Sequence, residues 1–389
     1  EGNWLVAADG RRYLDANAGY WCLVLGARPE EVERAVAEQL ARFPHSTLLG
    51  ITHRPAIELA ARLTELAGPP LNHVFYADSG SEAVEVALKM AYQYQVLTGR
   101  PERSKFLALG EAYHGDTLGA VAVGGIELFH GAFRTLLFPT LRVPPPCCYR
   151  CPWKLRPESC ARECAGAVVE ALERRGGELA ALIVEPLVIF DEVAVGCGRL
   201  GHMFTHEITG RKPDLLCLAK GLTAGLLPLS AVLAGDEIYE AFLGTCAERK
   251  TFFHGHTFTG SALGCAAAMA ALATLNDPAF LRRLREQTIP GFWGMLSQLR
   301  PCALVGDVRG RGMMAGIELV ADRAAREALP FKDRTGHQVV LAARRRGVNL
   351  RAIGDLVLVV PPLTITPDET QLLGRVLKES LEEVTRRIE

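Results

Sequence analysis

Asp214-Leu215-Leu216-Cys217-Leu218-Ala219-Lys220-Gly221-Leu222 is the most informative stretch of this chain. Its apolar run predicts a buried strand over residues 214–219, and Gly221 predicts a turn directly after Lys220. A lysine at the mouth of a buried strand loses its proton readily, and a neutral amine can form a Schiff base with an aldehyde cofactor. A lone lysine in this position is usually a solvated strand end, so this interpretation needs support from other parts of the chain.

A second apolar run ends in an acidic residue, in Ile189-Phe190-Asp191-Glu192-Val193. The run predicts a strand with Asp191 at its end, although an aspartate there is often a turn or cap residue. Pyridoxal 5'-phosphate (PLP) needs an amine that binds its aldehyde and an anion that keeps its ring nitrogen protonated. Lys220 and Asp191 match both needs, provided that the chain also has a site for the phosphate.

A candidate phosphate site lies between a predicted strand over 73–77 and a predicted helix. Ser79 and Glu82 have the spacing of a capping box, which predicts that the helix begins there. The N–H groups of Gly80 and Ser81, the Ser81 hydroxyl and the helix dipole would bind a phosphate dianion, although capped helices without a ligand are commoner. The apolar positions that recur at helical spacing are Ala83, Val84, Ala87, Leu88 and Tyr92.

An aromatic loop, Tyr113-His114-Gly115-Asp116-Thr117, follows a predicted strand over 105–109. Tyr113 could lie flat on a pyridine ring, and Gly115 would let the backbone pass close to it. A tyrosine and a histidine in a loop are common by themselves. The order of the four elements along the chain supports a PLP site: the phosphate helix comes first, then the aromatic loop, the strand with the acid and the strand with the lysine.

With these residues in this order, the chain resembles the class III aminotransferases, which are PLP enzymes of fold type I. The resemblance covers nearly the whole chain. It implies an α/β fold with a mainly parallel sheet, transamination between a small-molecule amino donor and a keto acceptor, and a homodimer with shared active sites. The motifs that carry it are Asp78-Ser79-Gly80-Ser81-Glu82-Ala83, Tyr113-His114-Gly115-Asp116-Thr117, Asp191-Glu192-Val193 and Leu218-Ala219-Lys220-Gly221-Leu222.

Within that class the chain is similar to the branch that acts in biotin synthesis. This implies transamination of 7-keto-8-aminopelargonate to 7,8-diaminopelargonate, with S-adenosylmethionine as the amino donor or lysine as the alternative. Two other functions stay open: another class III ω-aminotransferase acting on a diamine or ω-amino acid, and a non-catalytic or metal-binding protein on the same fold. The motifs that point to biotin synthesis are Tyr113-His114-Gly115-Asp116-Thr117, Phe253-His254-Gly255-His256-Thr257-Phe258-Thr259-Gly260, and Arg351-Ala352-Ile353-Gly354-Asp355 followed by Pro361-Pro362-Leu363.

Three residues are expected to take part in the chemistry. Lys220 would hold the cofactor and then move the proton between the substrate α-carbon and the cofactor C4′. Asp191 would pair with the pyridinium nitrogen. Tyr113 would pack on one face of the ring, and Val193, expected on the same strand face as Asp191, would pack on the other.

The phosphate and substrate contacts rest more heavily on the resemblance. It implies that Thr257, with Gly255 and His256 beside it, reaches the phosphate from the neighbouring subunit. The expected cofactor-binding residues are Gly80, Ser81, Tyr113, Asp191, Val193, Lys220, His256 and Thr257. The expected substrate-binding residues are Tyr20, Trp21, Tyr113, Lys220, Gly255 and Arg351.

Arg351 matches the family arginine that pairs with the carboxylate of the keto acceptor, a task that suits a bidentate guanidinium. Tyr20 and Trp21 occupy the place of an aromatic pair that lines the donor pocket, with a tyrosine first where tryptophan is common. Arg199 is expected to support the site through ion pairs of its own.

Composition agrees with an ordinary soluble enzyme. The chain has 389 residues, 49% of them hydrophobic, and can bury a large core in more than one domain. Its net charge of −1 gives no electrostatic reason to bind nucleic acid or a membrane surface. No apolar run approaches the roughly 20 residues of a membrane span. Since the start also lacks a signal-peptide pattern, we expect a cytoplasmic location.

Short apolar strands alternate with helical stretches, the pattern of a mainly parallel sheet covered on both faces. Residues 45–275 carry all the cofactor motifs and should form a large PLP-binding domain. Residues 1–44 and 276–389 should form a small domain. Helices of the small domain are expected near residues 29–43, 279–299, 335–346 and 368–387.

The cysteines raise a second question, because 11 are present and five of them cluster in a proline-rich segment. Cys148 and Cys151, followed by Cys160 and Cys164, have the spacing of a four-thiolate zinc site. Free thiols or a disulfide are the alternatives, and we favour a site without metal.

One place in the chain does not fit the pattern. Residues 182–188 and 189–193 predict two successive strands with nothing between them, whereas parallel neighbours need a connection of about a dozen residues. The resembling family has a glycine-containing loop and a helix there. We therefore expect that a segment is absent from this chain after Val188, and that residues before Glu1 are missing as well.

Overall fold

The computed structural model of the chain describes residues 1–184 and 189–388. The strands in these residues are β1 (Trp4–Val6), β2 (Arg12–Asp15), β3 (Leu71–Ala77), β4 (Lys105–Leu109), β5 (Thr140–Val143), β6 (Leu179–Val184), β7 (Ile189–Asp191), β8 (Leu215–Leu218), β9 (Ser230–Gly235), β10 (Val305–Arg311), β11 (Met314–Leu319), β12 (Val348–Asn349), β13 (Arg351–Ile353) and β14 (Leu356–Val359). The helices are α1 (Ala18–Trp21, a single turn), α2 (Glu30–Arg42), α3 (Arg54–Ala67), α4 (Gly80–Leu97), α5 (Leu118–Val123), α6 (Glu127–His130), α7 (Glu163–Arg175), α8 (His206–Thr209), α9 (Asp236–Ala241), α10 (Ala262–Leu275), α11 (Pro278–Arg283), α12 (Ile289–Ser297), α13 (Thr335–Arg345) and α14 (Pro367–Ile388).

A seven-stranded sheet forms the centre of the fold, in the order β3-β9-β8-β7-β6-β4-β5. The strands from β8 to β5 are parallel, and β9 runs antiparallel to both of its neighbours. All four residues of β8 are buried, as expected for an apolar strand covered on both faces. The predicted mainly parallel sheet is therefore confirmed.

The two strands that carry the acid and the lysine are neighbours. Asp191 at the end of β7 pairs with Cys217 of β8, and Lys220 follows β8 directly. Both residues therefore lie at the carboxyl edge of the sheet, where ligands bind in open α/β sheets. The strand predicted over 189–193 is shorter than expected, because the Val193 N–H turns back to Asp191 Oδ1 at 3.1 Å. Placing Val193 on the strand face of Asp191 was therefore wrong.

Strands β6 and β7 also pair in parallel. Only residues 185–188 separate them along the chain, far fewer than the dozen or so that such a connection needs. The expectation of an absent segment after Val188, and the end of the strand predicted over 182–188, lie outside the described residues.

Helix α4 begins where the capping box predicted. The Ser79 hydroxyl accepts a hydrogen bond from the Glu82 N–H at 3.3 Å, and Glu82 Oε2 accepts one from the Ser79 N–H at 2.9 Å. Tyr92 shares the predicted helical spacing but is 44% exposed, and Ala91 is buried instead. The buried face of α4 packs on the central sheet and includes Ala83, Val84, Ala87, Leu88 and Ala91.

Two smaller sheets form the rest of the framework: β10-β11-β14-β13 and β1-β2-β12. The helices predicted near 29–43, 335–346 and 368–387 are confirmed as α2, α13 and α14. The helix predicted over 279–299 is instead divided by a π-helical turn, Leu284–Thr288. Pro290 follows that turn and lacks a backbone N–H for the helix. The domain boundaries at 45 and 275 stay a prediction.

The clustered cysteines do not converge on a metal geometry within the described residues. There, one group of three or more potential ligands has its atoms within 4.8 Å of one another, and it consists of Asp78, Glu82 and His256. The Cys160 thiol instead donates to Glu163 Oε2 at 2.9 Å. The four-thiolate alternative thus finds no support from this arrangement.

The described helices include none that is long and apolar enough to cross a membrane.

Candidate active site

A cavity of about 620 Å³ opens at the carboxyl edge of the central sheet. A larger groove of about 900 Å³ lies between α12 and α14, but none of the predicted site residues lines it. The smaller cavity brings together nine of the twelve predicted site residues, namely Tyr20, Trp21, Gly80, Ser81, Tyr113, Asp191, Val193, Lys220 and Arg351.

Lys220 starts a short 3₁₀ turn, Lys220–Thr223, and has a left-handed backbone with φ of 44°. Such a conformation is costly for a side chain with a Cβ, and it is typical of functional sites where the surroundings hold it. The Lys220 ammonium lies over the Trp21 ring, 4.7 Å from its centroid. The turn therefore directs the lysine from the end of β8 into the cavity.

Asp191 is 2% exposed and is held by two hydrogen-bonding groups. Its Oδ2 lies 2.8 Å from His114 Nδ1, and its Oδ1 accepts the Val193 N–H. A buried carboxylate is stable only when it is well paired, so this arrangement orients an anion at the inner wall of the cavity. The sequence does not indicate His114 as the partner of Asp191, although His114 belongs to the aromatic motif at residues 113–117.

The Tyr113 hydroxyl donates to Asp116 Oδ2 at 2.8 Å. Burial and this hydrogen bond to an acid raise the pKa of Tyr113 well above its usual value, so the phenol stays neutral. The Asp116 N–H donates to Ser81 Oγ at 3.1 Å, which ties the aromatic loop to the start of α4. Gly115 makes that contact possible, since a Cβ there would lie 2.1 Å from Ser81 Oγ.

The start of α4 lines the cavity through Ser79, Gly80 and Ser81. A Cβ on Gly80 would lie 2.5 Å from Val193 Cγ1, so glycine is required where the helix start meets the turn after β7. The first N–H groups of a helix have no partner within the helix, and they attract anions. A lysine, a buried acid, an aromatic ring and an anion-binding helix start around one cavity fit PLP.

Arg351 begins β13 and reaches the cavity from the smaller four-stranded sheet. Its guanidinium carbon lies 4.1 Å from the centroid of the Tyr20 ring. Tyr20 in turn stacks on Trp21, with ring centroids 5.7 Å apart. Within residues 1–184 and 189–388, no carboxylate lies within 4.0 Å of the Arg351 guanidinium.

Arg199 corrects a prediction. It is fully buried, but in the described part of the chain it forms no ion pair, and its bonds go to the backbone carbonyls of Pro361 at 2.5 Å and of Met313 and Trp21 at 3.4 Å. Burial lowers the pKa of Arg199 to about 10. The expected ion pairs are therefore not found among residues 1–184 and 189–388, where Arg199 instead ties the backbone of Trp21 to two distant segments.

Gly255, His256 and Thr257 lie on an exposed loop and do not line the cavity. His256 Nδ1 lies 3.5 Å from Glu82 Oε1, so the loop passes near the start of α4. The sequence also failed to indicate the apolar wall of the cavity, because single apolar residues from separate segments form it. This wall includes Ile126, Phe129, Leu226, Leu227, Met314 and Leu358.

Comparisons with known proteins agree with this geometry. The family model of the class III aminotransferases matches residues 1–188 and 187–381. An adenosylmethionine-8-amino-7-oxononanoate aminotransferase from Geobacter sulfurreducens is 45% identical, over 99% of this chain and 91% of that protein. The chain belongs to the class III aminotransferase family, so it is a transaminase with PLP as its cofactor.

Two solved structures resemble this chain closely. The adenosylmethionine-8-amino-7-oxononanoate aminotransferase from Methanocaldococcus jannaschii superposes with a TM-score of 0.92 at 39% identity, over 98% of this chain and 92% of that one. A PLP-bound amine transaminase from an uncultivated Pseudomonas species also gives a TM-score of 0.92, at 33% identity, over 99% and 94% of the two chains. The predicted fold type I architecture is therefore confirmed.

Proposed function

We propose that this transaminase converts 7-keto-8-aminopelargonate to 7,8-diaminopelargonate in biotin synthesis, with S-adenosylmethionine as the amino donor. The names of its relatives support the reaction, and Arg351 is the observation that carries it. A guanidinium without an acid partner among the described residues lies at the edge of a largely apolar cavity. This combination suits an acceptor with a carboxylate at the end of an aliphatic chain.

The chemistry is centred on Lys220. When bound, PLP supplies an electron sink that stabilises negative charge at the substrate α-carbon. Lys220 would hold the cofactor through its amine and would move the α-proton of the substrate. The Asp191 carboxylate, oriented by His114, would pair with the ring nitrogen and keep it protonated.

The remaining residues position the cofactor and the substrates. Tyr113 and Val193 would pack on the cofactor ring. Gly80 and Ser81 would bind the phosphate through the N–H groups at the start of α4. Tyr20 and Trp21 would line the pocket for the amino donor, and Arg351 would bind the carboxylate of the acceptor.

The active site also needs a second subunit. We infer a homodimer in which Thr257, with Gly255 and His256, reaches the phosphate bound by the neighbouring subunit. All three residues are exposed here, and so are the side chains of Phe253 and Phe258 beside them, at 80% and 59%. Large apolar side chains exposed together are typical of an interface. We also infer a cytoplasmic location, which rests on the resemblance to a biosynthetic branch.

A single-turnover experiment tests the reaction. The enzyme is loaded with pyridoxamine 5'-phosphate and mixed with one carbonyl compound at a time. The absorbance of the cofactor reports the reaction. We expect 7-keto-8-aminopelargonate to react faster than pyruvate or a simple ω-aldehyde. The reverse experiment, with PLP-loaded enzyme and S-adenosylmethionine or lysine, identifies the donor.

The second candidate is an ω-aminotransferase that acts on a diamine or ω-amino acid. The equally close superposition on an amine transaminase favours it. It would become the better assignment if diamines reacted well and 7-keto-8-aminopelargonate did not react at all.

A further inference from the structure

The turn α1 has an unusual backbone. Ala18, Gly19, Tyr20 and Trp21 have φ values of 43°, 54°, 73° and 76°, so four successive residues are left-handed. Residues with a Cβ visit this region singly, and a run of them costs free energy at each position. Backbone strain of this kind persists only where the surrounding structure holds it, and it is concentrated at functional sites.

One group close in sequence and one distant group hold the turn. Asp15 is 2% exposed, and its Oδ2 accepts the Gly19 N–H at 2.7 Å. Its Oδ1 accepts the Asn17 N–H at 3.2 Å and the Asn349 side-chain amide at 3.0 Å. At the other end of the turn, Arg199 donates to the Trp21 carbonyl. The turn is thus fixed at both ends by buried groups.

This conformation directs the neighbouring side chains of Tyr20 and Trp21 to the same side of the backbone, towards the cavity. Successive residues of a strand point to opposite faces, but here the Tyr20 and Trp21 rings stack with an interplanar angle of 26°. Each ring lies against one cation of the cavity: Trp21 against Lys220 and Tyr20 against Arg351. The strained turn therefore delivers one ring to the lysine and the other to the arginine.

We propose that Tyr20 is the positioning residue for Arg351: its ring holds the guanidinium by a cation–π contact and leaves the N–H donors available to bind a substrate carboxylate. An acidic partner would compete with that carboxylate, whereas an aromatic face orients the arginine without occupying its donors. The inference rests on the proposed function and deepens it. It assigns Tyr20 to the acceptor side of the site, beyond the expected place in the donor pocket.

Binding of nonanoate to the PLP-loaded enzyme, measured by calorimetry, tests the proposal. Nonanoate has the chain length and carboxylate of the acceptor but cannot react, and nonanamide is the uncharged control. We expect Tyr20→Leu to weaken nonanoate about two- to fivefold, the range for an exposed cation–π contact, and to leave nonanamide unchanged. Tyr20→Phe keeps the ring and should lose less than Tyr20→Leu. Tyr20 is 46% exposed, so these substitutions leave the core intact.

The decisive comparison uses Arg351→Ala. If Tyr20 acts through the arginine, adding Tyr20→Leu to Arg351→Ala should weaken nonanoate no further. If Tyr20→Leu weakened nonanoate binding as much in the Arg351→Ala variant as in the native enzyme, Tyr20 would act independently of the arginine. That result would overturn the positioning role but not the proposed function. If Arg351→Ala itself left nonanoate binding unchanged, the proposed carboxylate contact would be wrong, and the positioning role would fall with it.

Discussion

Two turns bring residues to this cavity, and they are built in opposite ways. The turn before α4 is relaxed: Ser79 has an extended backbone, with φ of −135° and ψ of 163°, and its cap bonds lie within a few residues of chain. The left-handed turn of α1 is strained, and buried Asp15 and Arg199 hold it, with Asn349 bonding Asp15 in turn. The first turn is encoded locally, whereas the second combines local bonds from Asp15 with contacts that form only in the folded protein.

The difference has a functional counterpart. The relaxed turn presents backbone N–H groups, which any sequence with the right cap can supply. The strained turn presents two particular side chains in one orientation, whereas a strand would point two adjacent rings to opposite faces. We therefore expect the first turn to govern cofactor affinity and the second to govern substrate affinity.

Removing the lysine should have the largest effect. Lys220→Ala should lower turnover by roughly three orders of magnitude or more, because it removes both the covalent group and the proton carrier. PLP should still bind, since the phosphate turn is intact. Borohydride treatment of the native enzyme, followed by peptide mapping, should find the cofactor on Lys220. The control is Lys378→Ala, at an exposed position of α14, which should leave turnover unchanged. Cofactor label on a lysine other than Lys220 would refute the assignment.

Removing the arginine should affect one half-reaction. Arg351→Ala should weaken 7-keto-8-aminopelargonate by about 2–5 kcal/mol, the range for breaking a desolvated charge pair. The donor half-reaction should change much less, because its chemistry is centred on Lys220. Stopped-flow measurements of both half-reactions test this expectation, and equal losses in the two would indicate a structural arginine.

Loosening the strained turn should affect both stability and the acceptor. Asp15→Ala leaves the Gly19 and Asn17 N–H groups without their acceptor, which should lower the free energy of unfolding by about 1–3 kcal/mol. Affinity for nonanoate should fall together with it, while PLP affinity should be retained. Urea unfolding and calorimetry measure the two effects. Asp9→Ala, which breaks an exposed pair with Arg11, should cost less than about 0.5 kcal/mol.

Removing the cap of the turn before α4 should have the smallest effect on the free energy of unfolding. Ser79→Ala removes a helix cap and should cost about 1 kcal/mol. Because the first turn of α4 would fray, PLP should bind more weakly while nonanoate binds the loaded enzyme as before. Asp277→Ala removes the cap of α11, away from the cavity, and should cost similar stability with no change in PLP affinity. If both variants weakened PLP equally, the phosphate site would lie elsewhere.

Sequence patterns were reliable where the interacting residues are close along the chain. The capping box at Ser79 and Glu82 predicted the start of α4, and the apolar run over 105–109 predicted β4. Patterns were less reliable where tertiary contacts decide. The helix predicted over 279–299 is interrupted by a π-helical turn, and Tyr92 lies exposed despite its helical spacing.

The sequence by itself determined the parallel sheet, the capped helix and the residue types of the site, because apolar periodicity and capping act within one or two turns of chain. Only the tertiary structure decided how those residues meet. His114 contacts Asp191, which lies 77 positions away in the sequence, and Arg351 at the start of β13 contacts Tyr20 in the turn α1. The left-handed turn also depends on tertiary contacts, since Arg199 bonds the Trp21 carbonyl and Asn349 bonds Asp15 from remote segments.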